Sequence, residues 1–388
     1  MSGKKKKKKK NRKIVREPSE LFATTVSGAN GTKSVSVTEP SLESFWQQPV
    51  GFSPWFVYSI IQSMAGGFTV DVLGTTNRWY ARVLKGYGLC QAKYYDFPGS
   101  IIPSYETITK FVRENRPSVI ALGDAYKRRT KYYERIDGPE DVIAVLNSYK
   151  QNVALGIPQV AFTIFEGIFD TKKDGLVDMP KRREKKIGNH TVAVKGYDHQ
   201  KRQFYFLNSW GDDWGDNGSG YITYNYLNNY FVEGWLGLGL MLDLLQLELN
   251  TLISVKTIKL TNDKNCEISV YKSAIGKKNI NVFDIYEHKR LIAWLHFRES
   301  SVEGKLEIED LFCLPTYEQD LKHLLSLLIN FSIEHGHNHI FYNMHVQDLV
   351  TKEKRKTMKS VFIQSGFNIS CPLDPVYIGH YWTLTRNL

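Results

Sequence analysis

Three separated stretches hold residues whose types suit nucleophilic catalysis. The stretch "QQPVGFSPWF" places Ser53 just before a helix-like run, "GNHTVAV" contains His190, and "FLNSWGDDWGDNGSGY" contains Asn208 and Trp210. A hydroxyl or thiol nucleophile needs a nearby base, and the base needs a partner that orients it. His190 is the candidate base, and the amide oxygen of Asn208 can accept a hydrogen bond from its imidazole. The open question is whether Ser53 completes this site or whether the nucleophile has been lost.

Local elements must bring these residues together. His190 lies near the start of a predicted strand and Asn208 ends the next one, so a tight hairpin would place their side chains next to each other. Trp210 could then cover the hydrogen bond between them and exclude water. The glycines that follow Asn208 permit a tight turn below the site. Pro54 suits the first turn of a helix, which puts Ser53 at a helix start.

The chain divides into a basic tail (1–16), a linker or arm rich in Ser, Thr and Gly (17–40), and two globular regions (41–250 and 251–388). In the first, "NRWYARVLKGYG" and "GPEDVIAVLNSYKQNVALG" are predicted helices, and "PQVAFTIFE", "HTVAVKGYD", "QFYFLNS" and "GYITYNY" are predicted strands. The apolar run "WLGLGLMLDLLQLEL" favours a core strand or an interdomain helix. A helical half followed by an antiparallel half predicts an α+β fold.

The second globular region has a different texture. The stretches "INVFDIYEHKRLIAWLHFRES" and "KLEIEDLFCL" predict three strands. They are followed by a predicted helix in "TYEQDLKHLLSLLINFSIEHG", a strand in "HIFYNMHVQ", a helix in "KRKTMKSVFIQSG" and a last strand in "YIGHYWTLTRN". This order predicts a second unit of mixed helix and strand, with no repeat that relates it to the first.

Residues 41–232 resemble the papain-like cysteine peptidases. The resemblance rests on "GNHTVAVKGYD" and "FYFLNSWGDDWGDNGSGYITY", which are similar to the family's His and Asn blocks, and on "GYGLC" and "NVALGIPQVAFTIFE". It implies a fold with a helical lobe and an antiparallel β lobe. It also implies that His190 is the base, Asn208 orients it and Trp210 shields their bond. Cys90, which ends "GYGLC", matches a position away from the nucleophile loop and is expected to be a buried small residue.

The nucleophile loop departs from the family pattern, which has a Gln, then a Gly and a small residue directly before the Cys. Aligning the family's Gly with Gly51 places Gln47 at the oxyanion position and Ser53 at the Cys position. Phe52 replaces the small residue, and Pro54 follows. If the alignment shifts by one residue, Pro54 takes the Cys position and no nucleophile remains.

The exchange of sulfur for oxygen matters chemically. A papain-like thiol becomes a ready thiolate beside its His, whereas a Ser hydroxyl does not ionise there and needs the His as a true general base. Three interpretations follow for Ser53. The chain is a natural pseudo-peptidase that acts as a structural or binding protein, a peptidase that uses Ser53 itself, or an engineered knockout of an active cysteine peptidase. The changes at Phe52 and Pro54 favour natural drift over engineering.

Residues from about 255 to 388 resemble the GNAT-type N-acetyltransferases. The stretches "LEIEDLFCLPTYEQDLKHLLSLLINFSIEHG", "HIFYNMHVQ" and "MKSVFIQSGFN" follow the family's order. The family's glycine-containing loop holds the cofactor pyrophosphate at a helix N-terminus. Here that loop has no Gly and carries Glu318 and Asp320, which would repel a pyrophosphate. Phe362 stands where the family often has a Tyr acid.

The departures from the GNAT pattern predict a degenerate domain with no acetyl-CoA turnover. Glu309 could act as a general base on its strand, and the competing interpretation is an ordinary solvated or hydrogen-bonded strand residue. No cofactor is therefore expected for the chain, and its four Cys (Cys90, Cys266, Cys313, Cys371) show no metal-ligand spacing.

The basic tail accounts for most of the net charge. The chain carries +11, and residues 1–16 contain ten Lys and Arg residues (Lys4 to Lys10, Arg12, Lys13 and Arg16) and no acidic residue, so the rest of the chain is nearly neutral. Such a tail is expected to be disordered alone. It suits a nucleic acid or another polyanion, an anionic membrane or a nuclear import receptor as partner, or it only improves solubility. Through the candidate cleft the expected partner is a peptide or protein.

The cysteines and the N-terminal segment indicate the cellular compartment that we expect for the protein. Four Cys without a pairing pattern favour a reducing compartment. The basic run has no apolar core after it, so it does not predict a secretory signal peptide. The longest apolar run is interrupted by Asp243, Gln246 and Glu248 and is too short for a membrane span. We therefore expect an intracellular protein of the cytoplasm, the nucleus or a virion.

Overall fold

The computed structural model describes the following residues: 51–64, 76–97, 105–149, 157–171, 174–240, 253–259, 264–273, 275, 279–300, 302–314, 317, 320–345, 352–370 and 381–388. They form an N-terminal unit (51–240) and a C-terminal unit (253–388). The basic tail, the linker and Gln47 lie outside the described residues, so the expectations for them stay predictions.

The described residues contain eight α-helices and two sheets. The α-helices of the described residues are α1 (Pro54–Met64), α2 (Asn77–Gly86), α3 (Tyr105–Glu114), α4 (Val119–Tyr126), α5 (Pro139–Tyr149), α6 (Tyr224–Tyr230), α7 (Asp320–Glu334) and α8 (Lys352–Gln364). We call α1 to α4 the helical lobe. No helix within the described ranges is long and apolar enough to cross a membrane.

Side-chain caps explain where several helices begin. The hydroxyls of Thr76, Ser118 and Thr223 each accept a hydrogen bond from the backbone N–H three residues later, and all three residues have extended backbone. Such a cap satisfies a helix N–H that has no partner within the helix. At α5 the first turn holds Pro139 with Glu140 and Asp141, and acidic side chains favour the positive end of the helix dipole.

The N-terminal unit contains a seven-stranded sheet, which we call the β lobe. Its strands are β1 (Thr130–Ile136), β2 (Gln159–Phe165), β3 (Leu176–Val177), β4 (Lys186–Asp198), β5 (Gln203–Leu207), β6 (Ser219–Thr223) and β7 (Phe231–Leu240). The spatial order is β1-β7-β2-β4-β5-β6-β3. All neighbours are antiparallel except the short β3–β6 pair. The long strand β4 lies at the centre, between β2 and β5.

The C-terminal unit is built on an eight-stranded sheet. Its strands are β8 (Ile253–Lys259), β9 (Lys264–Lys272), β10 (Asn279–Glu287), β11 (Arg290–Glu299), β12 (Lys305–Cys313), β13 (His339–His345), β14 (Asn368–Ser370) and β15 (Tyr381–Asn387). The spatial order is β14-β15-β13-β12-β11-β10-β9-β8. Strands β12 and β13 are parallel, because α7 crosses over between them, and the other pairs are antiparallel.

The predicted α+β content is confirmed, with local corrections. The stretch "GYITYNY" was predicted as one strand, but β6 ends at Thr223 and α6 begins there, because the Thr223 hydroxyl caps the helix. The first part of "WLGLGLMLDLLQLEL" belongs to strand β7, so for this part the core strand is correct and the interdomain helix is wrong. The sequence interpretation did not identify strands β1, β3, β8, β9 and β14 or helices α3, α4 and α6.

Candidate active site

Ser53 lies at the start of α1 and is buried, with 1% of its surface exposed. Its Oγ accepts a hydrogen bond of 3.0 Å from the Phe56 N–H, as a helix N-cap does. Its own N–H donates to the Cys90 carbonyl oxygen at 2.9 Å. The neighbouring Phe52 forms a β-bridge with Gln91. The loop that was predicted to carry the nucleophile is therefore fixed both to α1 and to the segment that follows Cys90.

A tight turn after α2 brings Cys90 to this loop. Gly88 has φ +88°, in the left-handed region that favours glycine, and a Cβ there would lie 2.0 Å from the Ala125 carbonyl oxygen. Cys90 itself is completely buried, as the sequence predicted, and burial raises the pKa of its thiol to about 12. It is thus a protonated, structural side chain at neutral pH.

His190 and Asn208 are brought together by β4 and β5, with 2.8 Å between His190 Nε2 and Asn208 Oδ1. The same Oδ1 accepts the Ser209 N–H at 2.8 Å. Since a backbone N–H can bond only an acceptor, this contact fixes the orientation of the Asn208 amide. The imidazole must then donate from Nε2, which leaves Nδ1 as the unprotonated nitrogen of the neutral ring.

Trp210 packs against the imidazole, with 4.6 Å between the His190 and Trp210 ring centroids. Phe169 stacks on Trp210 at 5.3 Å, and Trp214 meets it edge-on at 5.4 Å. His190 is only 2% exposed. Burial lowers its pKa to about 4, although the hydrogen bond to Asn208 acts in the opposite direction. The ring is therefore neutral at pH 7, in the state that can accept a proton at Nδ1.

Ser53 and His190 are not joined by a hydrogen bond in the described part of the chain. His190 Nδ1 has no hydrogen-bond partner there, and the Ser53 hydroxyl serves the Phe56 N–H. His190 is thus a neutral base with a fixed tautomer, and its Nδ1 is free to accept a proton. No nucleophile is hydrogen-bonded to this nitrogen in the described residues.

The two neighbours of Ser53 that break the family pattern have structural places. The Phe52 ring is buried in the helical lobe, with the Arg128 guanidinium 5.6 Å from its centroid. Pro54 forms the first residue of α1, where its missing N–H leaves no helix bond unmade. The basic segment "KRREKK" forms an exposed turn before β4, held by Glu184, which accepts the N–H groups of Gly167 and Lys181.

Sequence reasoning missed a polar link between the lobes beside His190. Thr191 donates from Oγ1 to Asn77 Oδ1 at 2.9 Å, and the Asn77 N–H donates to Glu233 Oε1 at 2.8 Å. The other Glu233 oxygen accepts the Trp235 indole N–H at 3.3 Å. The start of α2 is thereby bonded to both β4 and β7. No local pattern indicates these contacts, because 114 and 156 residues separate Asn77 from its two partners.

The candidate residues of the C-terminal unit lie inside the protein. Glu309 is completely buried, and the nearest cation, the Arg298 guanidinium, is 3.3 Å away. Burial raises the pKa of the Glu309 carboxyl despite Arg298. Of the competing interpretation, a solvated or hydrogen-bonded strand residue, the solvated form is therefore wrong, and neither carboxyl oxygen of Glu309 has a hydrogen-bond partner among the described residues. Phe362 is buried too, among the apolar residues below α8.

The described residues contain no group of three or more His, Cys, Asp or Glu side chains that could hold a metal ion. The segment that precedes α7 includes Glu318, which is outside the described residues. Asp320 is the first residue of α7, buried, with its N–H bonded to the Tyr317 carbonyl oxygen.

Comparison with protein families places this site in context. Residues 74–233 match the family described as "Papain family cysteine protease". Residues 74–233 form a papain-like peptidase domain. Its described elements include His190, Asn208, Trp210 and the lobe-bridging Asn77. The match begins after residue 53, so Gln47 and Ser53 of the nucleophile loop are not part of it.

Individual relatives of the papain-like domain include one curated viral protein. An uncharacterized peptidase C1-like protein of Acanthamoeba polyphaga mimivirus is 29% identical over 170 residues, which cover 42% of this chain and 51% of the relative. The chain thus spans about half the length of the curated relative that it matches. That relative is itself described only by its similarity to peptidases.

Solved structures that are similar to part of this chain include a cysteine protease and an N-acetyltransferase. Xylellain, a cysteine protease from Xylella fastidiosa, is 21% identical, covers 57% of this chain and 78% of its own, and has a TM-score of 0.43. A PaiA N-acetyltransferase from Thermoplasma acidophilum in complex with coenzyme A is 17% identical, with coverages of 28% and 61% and a TM-score of 0.23. At these scores the assignment of the papain-like domain rests on the family match.

Proposed function

We propose that this papain-like peptidase homologue is catalytically inactive and acts as a structural or binding protein. The observation that carries the proposal is the state of Ser53: a buried hydroxyl that caps α1 and forms no hydrogen bond with His190 in the described residues. A Ser nucleophile must pass its proton to the base as it attacks. Without that bond, the Ser53 hydroxyl has no base in place to accept its proton.

The remaining machinery supports a second candidate, an active peptidase that hydrolyses peptide bonds. His190 has the neutral state, the tautomer and the Trp210 cover that a general base needs. In this case Ser53 is the nucleophile, or it stands where an active cysteine peptidase has Cys. Gln47 would supply the oxyanion hydrogen bond in either case. The two candidates share the same site and differ in whether the side chain at position 53 acts as a nucleophile.

The deciding experiment restores sulfur at that position. The Ser53→Cys variant of the full chain is treated with a thiol-reactive peptide probe, and the modified residue is located by mass spectrometry. We expect no labelling of the introduced thiol, because position 53 is buried and forms no hydrogen bond with His190 in the described residues. If labelling does occur, its loss on adding His190→Ala would show that it depends on the base. The parent chain is the control for its own cysteines, of which Cys90 and Cys266 are buried and Cys313 is half-buried. The same parent is assayed for peptide hydrolysis, which we expect to be absent.

The outcomes separate the candidates. Peptide hydrolysis by the parent chain, abolished by Ser53→Ala, would establish a serine-using peptidase and overturn the proposal. Labelling of Ser53→Cys without activity of the parent indicates a site whose geometry persists but whose nucleophile is missing. If the variant is not labelled, the site is inaccessible to the probe as well as lacking a nucleophile, and only the structural or binding role remains.

We propose that the C-terminal unit is a degenerate GNAT-like domain without acetyl transfer. Its parallel β12–β13 pair, connected through α7, and its strand and helix order support the resemblance. The burial of Glu309 and the Phe362 side chain argue against proton transfer to or from an external substrate. The basic residues Lys4 to Arg16 are proposed to bind nucleic acid or another polyanion. An intracellular or virion setting fits such a tail and the viral relative.

A further inference from the structure

The C-terminal sheet has one face covered by its own helices and the other by the papain-like domain. Along β11, Leu295 and Phe297 pack in the core with α7 and α8. The side chains that alternate with them face β1: Trp294 donates to the Tyr133 hydroxyl at 2.5 Å, and His296 Nδ1 donates to the Tyr133 carbonyl oxygen at 3.0 Å. Arg298 continues the row with a 2.6 Å bond to Asp137.

The core of the helical lobe is completed by C-terminal residues. One apolar cluster contains α1 and α2 side chains together with Leu291, Trp294, Phe312 and Leu314. Trp79 of α2 meets Phe312 edge-on, with 5.6 Å between their centroids. If the units separated, apolar side chains of both would become exposed to water. The contact is therefore a shared hydrophobic core and not a transient interface.

Two buried ion pairs connect α2 to the C-terminal sheet. Arg82 forms two hydrogen bonds with Asp310, of 2.5 and 3.0 Å, and Lys85 Nζ lies 2.8 Å from Asp284. All four side chains are less than 5% exposed. An ion can be buried at tolerable cost only with its partner present. Since each pair takes one residue from each unit, these charged side chains can be buried only when both units fold together.

The two pairs differ in character. Burial alone would raise the pKa of the Asp310 carboxyl, but Arg82 lowers it to about 2, so this pair is fully ionic. For the second pair, burial lowers the pKa of Lys85 and raises that of Asp284, with each partner opposing the shift of the other. Lys85 also donates to the Lys131 carbonyl oxygen at 3.0 Å, which ties the C-terminal half of α2 to β1 as well.

The other end of α2 is attached beside the candidate site. Asn77 is its first residue, and it accepts the Thr191 hydroxyl one residue after His190. A helix of 10 residues thus runs from the β lobe to the C-terminal sheet. We propose that the C-terminal unit is a permanent strut that fixes α2 and, through Asn77 and Thr191, positions His190. This role requires no chemistry from either unit and goes beyond the proposed loss of catalysis.

One test asks whether the units stay together without a covalent link. A protease recognition sequence is inserted between Leu240 and Ile253 of the full chain and cleaved after folding. The halves are expected to co-elute on gel filtration even in about 1 M NaCl, because buried pairs and apolar cores are little affected by screening. Halves that elute separately at low micromolar concentration would overturn the proposal.

A second test asks whether the strut reaches His190. Asp310→Asn removes the negative charge that Arg82 pairs with at 2.5 Å. In the folded protein we expect this variant to change the His190 imidazole nitrogen signals and to raise its protonation midpoint by about one pH unit or more, as burial is relaxed. The signals are assigned with His190→Gln. The matched control is Leu328→Ala, which removes a buried side chain from the helix-covered face and is expected to leave His190 unchanged.

A third variant keeps the test decisive if Asp310→Asn fails to fold. Arg82→Lys keeps the buried charge of the pair but cannot form both hydrogen bonds with Asp310. It is expected to fold and to shift the His190 signals in the same direction as Asp310→Asn. Unchanged His190 signals in folded Asp310→Asn, or in Arg82→Lys if Asp310→Asn does not fold, would contradict the positioning role. So would an equal change in Leu328→Ala, since general loosening would then explain it.

Discussion

The Ser53 hydroxyl accepts the Phe56 N–H and so stabilises the first turn of α1, a contribution of about 1 kcal/mol for a typical N-cap. The same oxygen occupies the position where the family resemblance places a sulfur. A thiol is a poorer acceptor, so Ser at this place favours the fold while it removes the reactive group. His190 illustrates the converse: its burial keeps it neutral, which suits a base but costs stability at low pH.

The buried His190 predicts a specific acid sensitivity. Its pKa is about 4 when folded and 6.5 in the ordinary state, so the unfolded chain binds more protons between these values. Stability is therefore complete above pH 6.5 and decreases as the pH falls towards 4, by about 3 kcal/mol in total from this one group. Urea unfolding of the parent and of His190→Gln from pH 7 to 4 measures the difference between the two.

Other groups titrate in the same range, so only the difference between the two proteins is diagnostic. The gap in unfolding free energy should narrow or reverse on acidification, because the variant lacks the titrating ring. Parallel pH curves would mean that His190 is accessible to protons in the folded state, which would contradict its burial under Trp210.

Much of the His–Asn arrangement could be predicted from the sequence, because local patterns encode it. A strand, a tight hairpin and the glycines after Asn208 suffice to bring His190 and Asn208 together. The Asn77–Thr191 contact could not be predicted, since it depends on how two lobes dock and its partners are 114 positions apart in the sequence. The capping role of Ser53 and the absence of a bond to His190 in the described residues also depend on distances that no motif specifies.

At the scale of elements, a single glycine sets the path from α2 to the Ser53 loop. Gly88 has φ +88°, and the backbone of α4 lies directly against it. Glycine is required here twice, for the left-handed conformation and for the space. The turn lets Cys90 bond the Ser53 N–H, so the start of α1 and the end of α2 share one backbone connection.

Gly88→Ala is expected to destabilise the protein by about 3 kcal/mol or more, because the added methyl would lie 2.0 Å from the Ala125 carbonyl oxygen in a strained backbone. The matched control is Gly123→Ala in α4, where, apart from the neighbouring residues and the backbone of the helix itself, no atom lies within 4 Å of the new methyl. That change should stabilise the protein by about 0.5–1 kcal/mol through helix propensity. Thermal and urea unfolding of both variants provide the comparison, and equal effects would refute it.

Which elements the sequence revealed depends on their periodicity. Helices α1, α2, α5, α7 and α8 have apolar spacing and boundary residues that are visible in the sequence, and they were predicted. Strand β1 was missed, because "TKYYERI" mixes charges with aromatics, and its buried Tyr133 and Glu134 are bonded to residues of the other unit that lie far away in the sequence. The Thr223 cap ended β6 earlier than its apolar pattern indicated.

At the scale of the whole molecule, charge is concentrated at one end of the sequence. The chain carries +11, and the ten basic residues of 1–16 supply nearly all of it. The two-unit body uses its buried charges in pairs, such as Arg82 with Asp310, instead of presenting them to a partner. Binding of a polyanion is therefore expected to depend on the tail and to be independent of the papain-like site.

Deletion of residues 1–16 is expected to weaken nucleic-acid binding at low salt and to flatten its salt dependence. For a duplex, each lost phosphate contact reduces the slope of log K against log salt by about 0.9. Binding of full and shortened chains to one duplex over a salt series measures this slope. A full-length chain with Lys4 to Lys10 changed to Gln is the control for tail length, and binding unaffected by either change would refute the assignment.

The contacts of α2 also fix the directions in which its 10 residues point around the helix axis. Asn77 must face β4 and β7, while Arg82 and Lys85 must face the C-terminal sheet, and a helix turns by about 100° per residue. One residue inserted between Asn77 and Arg82 would rotate one set of contacts away from its partners and lengthen the helix by about 1.5 Å. The number of residues in α2 is therefore constrained as well as their identity, because both sets of contacts must be kept at once.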